Sequence, residues 1–159
     1  MENQSEIISK TNKKDNIVKM SFYITYSFLL TTATITFIEA MRNKDAKIRH
    51  ILNLETCISV VAAFFYSQFI TKLKSNEDKE LNYRQINVTR YTDWMITTPI
   101  MLLVLCLVFA YNNKSTLSAL TFLIILVLNY LMLGYGYAGE LNLISKKLAT
   151  LLGFVFFIM

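Results

Sequence analysis

Five long apolar stretches are the feature of this sequence that most restricts its possible folds. They cover approximately residues 17–41, 48–71, 88–111, 115–139 and 148–159. A helix needs about 20 predominantly apolar residues to cross the hydrocarbon core of a bilayer, and a chain inside the bilayer must satisfy its backbone hydrogen bonds within each segment. The sequence therefore predicts an all-α, polytopic transmembrane helix bundle over residues 17–159, preceded by a polar N-terminal tail at residues 1–16.

The charged residues are concentrated between the apolar stretches. The formal net charge is +5, and lysines and arginines flank the stretches at positions where cations contact lipid headgroups. Membrane anchoring therefore explains the charge, and we do not expect nucleic-acid binding. Because the N-terminal tail and the first two loops are all basic, the distribution of positive charge does not decide the orientation.

Few residues of this sequence are suited to metal or enzymatic chemistry. His50 is the only histidine, and Cys57 and Cys106 lie in apolar stretches, where they are expected to pack as small hydrophobic residues. The segment GYGYAG at 134–139 has the letters of a dinucleotide-binding fingerprint, but it ends an apolar helix, whereas the fingerprint requires a preceding strand. We therefore expect neither a metal site nor an enzyme.

A group of polar residues opens the third apolar stretch, whose sequence from residue 90 is RYTDWMITTPIMLL. On a helix, Arg90, Asp93 and Thr97 recur at spacings of three and four and share one face. An unpaired carboxylate within lipid costs roughly 2.5–3.5 kcal/mol, so Asp93 needs a positively charged partner. The residues alone leave two alternatives open: an ion pair with Arg90 at the membrane surface, or a buried cation for which Asp93 is the counterion.

Pro99 interrupts the backbone hydrogen bonding of the same helix. A proline inside a helix has no N–H to donate, so one backbone carbonyl in the preceding turn loses its partner. Side-chain hydroxyls can satisfy such a carbonyl within a membrane. A nearby threonine hydroxyl can therefore help to satisfy the freed carbonyl here.

The stretch RYTDWMITTPIMLL resembles the third-helix signature of the microbial (type 1) retinal rhodopsins, RYxDWxxTTPLxLL. Three further segments, TATITFIEAM, VVAAFFYSQF and LMLGYGYAGEL, resemble the first, second and fourth helices of proteorhodopsin-like members. The resemblance covers roughly residues 18–159, and the composition is similar to that of the short rhodopsins of large algal viruses. It implies a multi-pass integral membrane protein whose partners are the lipid bilayer, retinal, and a transported cation or proton. A homo-oligomer is a further expectation for this class.

The resemblance also implies roles for individual residues. In this family retinal is linked to a lysine as a protonated Schiff base, which is a cation held in the middle of the membrane. By carry-over, Asp93 is the primary counterion and proton acceptor of that cation, together with Arg90. The retinal pocket that the resemblance implies consists of Trp94, Thr97, Thr98, Met101, Met132, Gly136 and Tyr66.

One departure from the family pattern concerns transport. Outward pumps of the family usually carry a carboxylate at the position of Val104, and valine cannot carry a proton. Glu55 and Asn53 lie inside the second apolar stretch and Glu39 lies near the end of the first, which predicts an ion pathway. An alternative for Glu55 is a residue that extends to the membrane surface from near a helix end. Together these features favour a light-gated cation channel over a light-driven proton pump, with a non-photoactive membrane scaffold as a third alternative.

A second departure concerns the lysine that carries retinal. Family members have seven helices, and this lysine lies in the middle of the seventh. Every lysine of the present sequence lies in a tail or a loop, and the sequence ends in GFVFFIM, which has the composition of the middle of a fifth helix. We therefore expect the chain to be a fragment that lacks about two helices, on the order of 60–80 residues. Alone, it is expected to lack the covalent retinal site.

Overall fold

The structure of the chain is a computed structural model that describes the backbone of residues 2–75 and 83–159 and the side chains of residues 16–72 and 84–159. In these residues the chain forms helices and no strand. The helices are α1 (Glu2–Arg42), α2 (Ala46–Ser75), α3 (Tyr83–Asn112), α4 (Ala119–Glu140) and α5 (Lys146–Ile158). Each apolar stretch therefore forms a helix, and the prediction of an all-α fold is confirmed.

Four helices contain segments that are long and apolar enough to cross a bilayer. These segments are Asn16–Arg42, Ala46–Lys72, Arg84–Asn112 and Ala119–Glu140. Many of their large apolar side chains are exposed, among them Phe28, Phe109 and Leu120. Soluble proteins rarely expose apolar surface on this scale, whereas a helix in lipid does so without cost. The chain is thus a multi-pass integral membrane protein, as predicted.

The first helix is longer than the apolar stretch that it contains. It begins at Glu2, so most of the residues predicted as a polar tail continue the helix of the first span. The division into a tail at 1–16 and a bundle at 17–159 stays a prediction.

The helices pack in chain order. Among the described residues, the pairs of helices whose backbones approach closely are α1 with α2, α2 with α3, α3 with α4 and α4 with α5. The clearest hydrophobic core lies among the first three helices, where Phe69 is fully buried against Ile86. Phe22 and Tyr66 complete it with rings tilted or edge-on to Phe69 at centroid distances of 5.2 and 5.4 Å.

The turn between α1 and α2 is attached to the far end of α3. The Asp45 carboxylate accepts a hydrogen bond from the Lys47 backbone N–H at 2.8 Å, at the start of α2, and another from the Tyr111 hydroxyl at 3.1 Å. These bonds favour the charged form, and they hold the pKa of Asp45 below its usual value. The turn therefore fixes the spacing between α2 and α3 at this end of the helices.

Candidate functional site

Asp93 lies on the buried side of α3. Its side chain is 4% exposed, and among the described residues its Oδ1 atom has no hydrogen-bond partner. The Thr97 hydroxyl, also buried, donates to the backbone carbonyl of Asp93 at 2.9 Å. A buried acceptor without a partner costs about 1–3 kcal/mol, and more when it is charged. A hydrogen-bond donor or a cation beside this carboxylate would therefore stabilise it.

Arg90 does not supply that partner. Its guanidinium carbon lies 5.0 Å from the centre of the Trp94 ring, in the arrangement of a cation–π contact. Among the described residues no ion pair joins Arg90 to Asp93. Of the two alternatives that the sequence left open, the ion pair at the membrane surface is thus missing from the structure. The role of Arg90 as part of the counterion stays a prediction.

A cleft of about 480 Å³ lies between α3, α4 and α5. Trp94 from α3 and Met132 and Gly136 from α4 all line it, so the structure brings together three residues of the predicted retinal pocket. Phe154 and Phe157 of α5 add further apolar wall. The volume falls within the roughly 300–1,000 Å³ typical of small-molecule sites. The cleft is therefore large enough and apolar enough for a small hydrophobic ligand.

Gly136 allows close contact between α4 and Tyr91. A Cβ atom on Gly136 would lie 2.7 Å from the Tyr91 hydroxyl oxygen and 2.9 Å from its Cε1 atom. The Tyr91 ring in turn meets Trp94 edge-on, at a centroid distance of 5.4 Å. Gly136 therefore positions Tyr91, which also lines the cleft. Sequence reasoning gave Tyr91 no role, although it lies within the RYTDW motif.

Thr98 links α3 to α4 instead of facing the cleft. Its hydroxyl donates to the Trp94 carbonyl at 2.6 Å and accepts a hydrogen bond from the Asn129 side-chain amide at 3.0 Å. Asn129 is buried. The sequence analysis missed this residue, yet an isolated amide within the apolar run LIILVLNYLML was a usable signal, because a polar side chain in a span usually has a partner on another helix.

Four residues of the predicted pocket do not line the cleft, namely Thr97, Thr98, Met101 and Tyr66, and Asp93 does not line it either. The Met101 side chain is 52% exposed, on α3. Tyr66 packs edge-on against Phe69 and tilted against Phe22, in the core between α1 and α2. The roles of Met101 and Tyr66 in a retinal pocket stay predictions.

Glu55 lies half-buried in α2, next to a polar contact between helices. The hydroxyls of Thr36 on α1 and Thr56 on α2 are 2.8 Å apart and hydrogen-bonded. One of the two hydroxyls donates this bond, and the one that accepts it can donate its own proton to a carbonyl of its own helix. Glu55 is therefore the sequence neighbour of a residue that makes a polar contact between α1 and α2.

The other predicted pathway residues are more exposed. Glu39 lies in the last turn of α1 and pairs with Arg42 at 3.1 Å, where both side chains are largely exposed. Asn53 is exposed on α2, and Val104 is half-buried on α3. Of the predicted pathway carboxylates, Glu55 is therefore the one that lies away from a helix end. The pathway as a whole stays a prediction.

Comparison with known proteins identifies the family. Residues 16–159 match the family model described as bacteriorhodopsin-like protein. The chain belongs to this family. The resemblance drawn from RYTDWMITTPIMLL is therefore confirmed. Comparison with curated proteins gives no match.

Two solved structures of rhodopsins are similar to this bacteriorhodopsin-like chain. The viral rhodopsin OLPVRII is 57% identical, with a TM-score of 0.80 over 89% of this chain and 66% of that chain. Blue light-absorbing proteorhodopsin from Med12 is 21% identical, with a TM-score of 0.72 over 89% of this chain and 63% of that chain. The second likeness shows the fold alone. The present chain spans just under two thirds of the length of each.

Proposed function

We propose that this chain forms part of a retinal-binding photoreceptor that conducts cations across a membrane under light. The observation that carries the proposal is the buried Oδ1 atom of Asp93, which has no partner among the described residues. A carboxylate in this position needs a cation, and Arg90 is directed to Trp94 instead. Members of the bacteriorhodopsin-like family bind retinal, and the protonated Schiff base would be that cation.

The residues present fit retinal at two points. The first is the unpaired carboxylate oxygen of Asp93, and the second is the apolar cleft bounded by Trp94, Met132 and Gly136. Bound retinal supplies light absorption, isomerisation and a positively charged Schiff base. Trp94 and Met132 would hold the polyene by apolar contact and exclude water from it.

Asp93 has two tasks in this proposal. As an anion it stabilises a positive charge in a region of low dielectric, and as a base it can accept a proton at one of its carboxylate oxygens. The Thr97 hydroxyl donates to the Asp93 backbone carbonyl, and the burial of Asp93 restricts the space in which its carboxylate can move. The proton acceptor is therefore held in place before light is absorbed.

Conduction of cations, as opposed to pumping of protons, is supported by two residues. Val104 stands where outward pumps usually carry a proton-donating carboxylate. Glu55 places a carboxylate inside α2, where it can attract and partly dehydrate a passing cation. A light-driven proton pump and a non-photoactive membrane scaffold are the alternatives. Pigment formation distinguishes a photoreceptor from the scaffold, and the voltage dependence of photocurrents distinguishes a channel from a pump.

The 159-residue chain incubated with all-trans retinal is expected to give no visible absorption band that survives washing. The four candidate spans carry lysine only in their first or last turns. Lys146, which lines the cleft, and Lys147 are the first two residues of α5, so no lysine lies in the middle of a candidate span or of α5 to form a Schiff base. Absorption spectra of washed membranes measure this directly. A stable, protein-dependent band from the chain alone would show that the lysine argument is wrong.

The matched experiment adds the part of OLPVRII that this chain does not cover. Membrane helices can insert independently and associate afterwards. We define the complemented protein as this chain co-expressed with the helices of OLPVRII that it does not match. The complemented protein is expected to form a visible band that hydroxylamine bleaches under light. Absence of a band from it, with both chains present in the membrane, would favour the non-photoactive scaffold.

Photocurrents of the complemented protein are expected to reverse sign near the equilibrium potential of the permeant cation. A channel follows the electrochemical gradient, whereas a pump moves charge in one direction at zero voltage. Glu55→Gln is expected to change the amplitude or the ion selectivity. Glu39→Gln should change them less, because Glu39 is exposed and paired with Arg42. Voltage-clamp recording under light, with the external cation varied, measures both effects. An outward current that never reverses would indicate a pump.

A further inference from the structure

Pro99 removes the hydrogen-bond donor of one particular carbonyl in α3. In an α-helix the N–H of each residue bonds to the carbonyl four residues earlier, so the group that loses its partner here is the carbonyl of Met95. Both residues lie within the membrane span Arg84–Asn112. Since no water replaces the missing donor in the hydrocarbon region, the Met95 carbonyl needs a partner from another side chain.

Tyr130 of α4 supplies that partner. Its hydroxyl donates to the Met95 carbonyl at 3.3 Å. Tyr130 lies near the middle of Ala119–Glu140, and its side chain is 44% exposed. A phenol hydroxyl at mid-membrane itself requires an acceptor. The two groups therefore satisfy each other, where each would be unsatisfied alone.

Three consecutive carbonyls of α3 accept a hydrogen bond from a side-chain hydroxyl. Those of Asp93 and Trp94 accept from the threonines four residues later. The next carbonyl, that of Met95, cannot be satisfied in this way, because the residue four positions later is Pro99. Thr98, three positions later, already donates its only hydroxyl proton to the Trp94 carbonyl, and Tyr130 of α4 is placed to provide the donor instead.

We propose that Tyr130 is a positioning residue, which completes the hydrogen bonding of α3 at Pro99 and so fixes the backbone that carries Asp93 and Trp94. Its hydroxyl acts through the Met95 carbonyl, which follows Trp94 directly. Loss of this hydroxyl frees the carbonyl to move and lets the turn after Asp93 relax. The hydrogen bond itself does not depend on a chromophore, whereas an effect on retinal rests on the proposed function.

The test uses infrared spectroscopy of the 159-residue chain in lipid bilayers without retinal. The chain has seven methionines, and labelling their carbonyls with ¹³C separates their bands from the rest. The Met95 band is the one that disappears in Met95→Leu. In Tyr130→Phe this band is expected to move to higher frequency, since a carbonyl that loses a hydrogen bond stiffens. Tyr135→Phe is the matched control: its ring stacks on Phe156, and it should leave the Met95 band in place.

A double-mutant cycle with Pro99→Ala adds a second measurement. Alanine restores an N–H for the Met95 carbonyl, so the Tyr130 hydroxyl becomes less important. Tyr130→Phe is expected to raise the unfolding equilibrium constant about threefold in the wild-type background, which is average for one interhelical hydrogen bond in a membrane. In the Pro99→Ala background the change should be smaller. An unmoved Met95 band in Tyr130→Phe, together with equal effects in both backgrounds, would overturn the proposal.

The complemented protein extends the test to retinal. There Tyr130→Phe is expected to shift the absorption maximum, and Tyr135→Phe is not. If neither the wild type nor any variant forms a pigment, the proposed retinal site is contradicted. The infrared result on Met95 would still decide the role of Tyr130. The two proposals can therefore fail separately.

Discussion

The Asp93→Asn form of the complemented protein is expected to absorb at longer wavelength than the wild type and to lose its visible colour at a lower pH. Asparagine keeps the shape of aspartate but removes the negative charge that would stabilise the protonated Schiff base. Two unit charges 4 Å apart interact by about 4 kcal/mol at an effective dielectric constant of 20. A loss of this size would move the pH of colour loss by whole pH units.

Absorption spectra recorded across a pH titration measure both effects. Glu39→Gln is the control, because it removes a carboxylate that is exposed at a helix end and paired with Arg42. It should leave the spectrum and the titration as in the wild type. An Asp93→Asn protein with an unchanged spectrum and an unchanged titration would exclude Asp93 as the primary counterion.

The helices of this protein could be predicted because lipid imposes a simple rule on the sequence. A span must be apolar for about 20 residues, and the interruptions around Asn43 and Asn113 are visible as short polar segments. The beginning of α1 could not be predicted in this way. It begins at Glu2, well before the apolar stretch. A helix can extend into water beyond the membrane, and hydropathy does not show where such an extension begins.

Contacts between the helices were harder to predict than the helices themselves. Side chains that face lipid and side chains that face another helix are both apolar, so periodicity does not reveal how a helix is rotated about its axis. Arg90 illustrates this limit. Its spacing from Asp93 left a direct ion pair open as one of two alternatives, and the structure places its guanidinium carbon 5.0 Å from the centre of the Trp94 ring.

Polar satisfaction was partly predictable. A nearby threonine hydroxyl was one candidate donor for the carbonyl freed by Pro99, and the structure places the Tyr130 hydroxyl on it. Thr98 donates to the Trp94 carbonyl and receives the Asn129 amide. The need for a donor follows from the sequence, because proline lacks an N–H. The residue that donates this hydrogen bond depends on how α4 packs against α3, and this packing cannot be read from the sequence.

Gly139→Ala is expected to destabilise the packing of α4 against α5 by about 1–3 kcal/mol, the usual cost of adding a methyl group to a tightly packed interface. Gly139 and Ala149 are both buried where the two helices meet. A Cβ atom on Gly139 would collide with the Cβ atom of Ala149. Since that atom is attached directly to the α5 backbone, the strain is relieved only by moving one helix away from the other.

Gly134→Ala is the matched control for this prediction. It lies on the same helix, but a Cβ atom placed there has no neighbour within 4 Å. Because alanine favours helix over glycine by about 1 kcal/mol, this substitution should be neutral or stabilising. Unfolding of the chain in detergent or bilayer, followed by helical circular dichroism, measures both variants, and Ala149→Gly combined with Gly139→Ala should recover much of the loss. If Gly139→Ala proved as stable as Gly134→Ala, the close approach of α4 and α5 would be wrong, and with it the cleft wall that Gly139 and Ala149 form together.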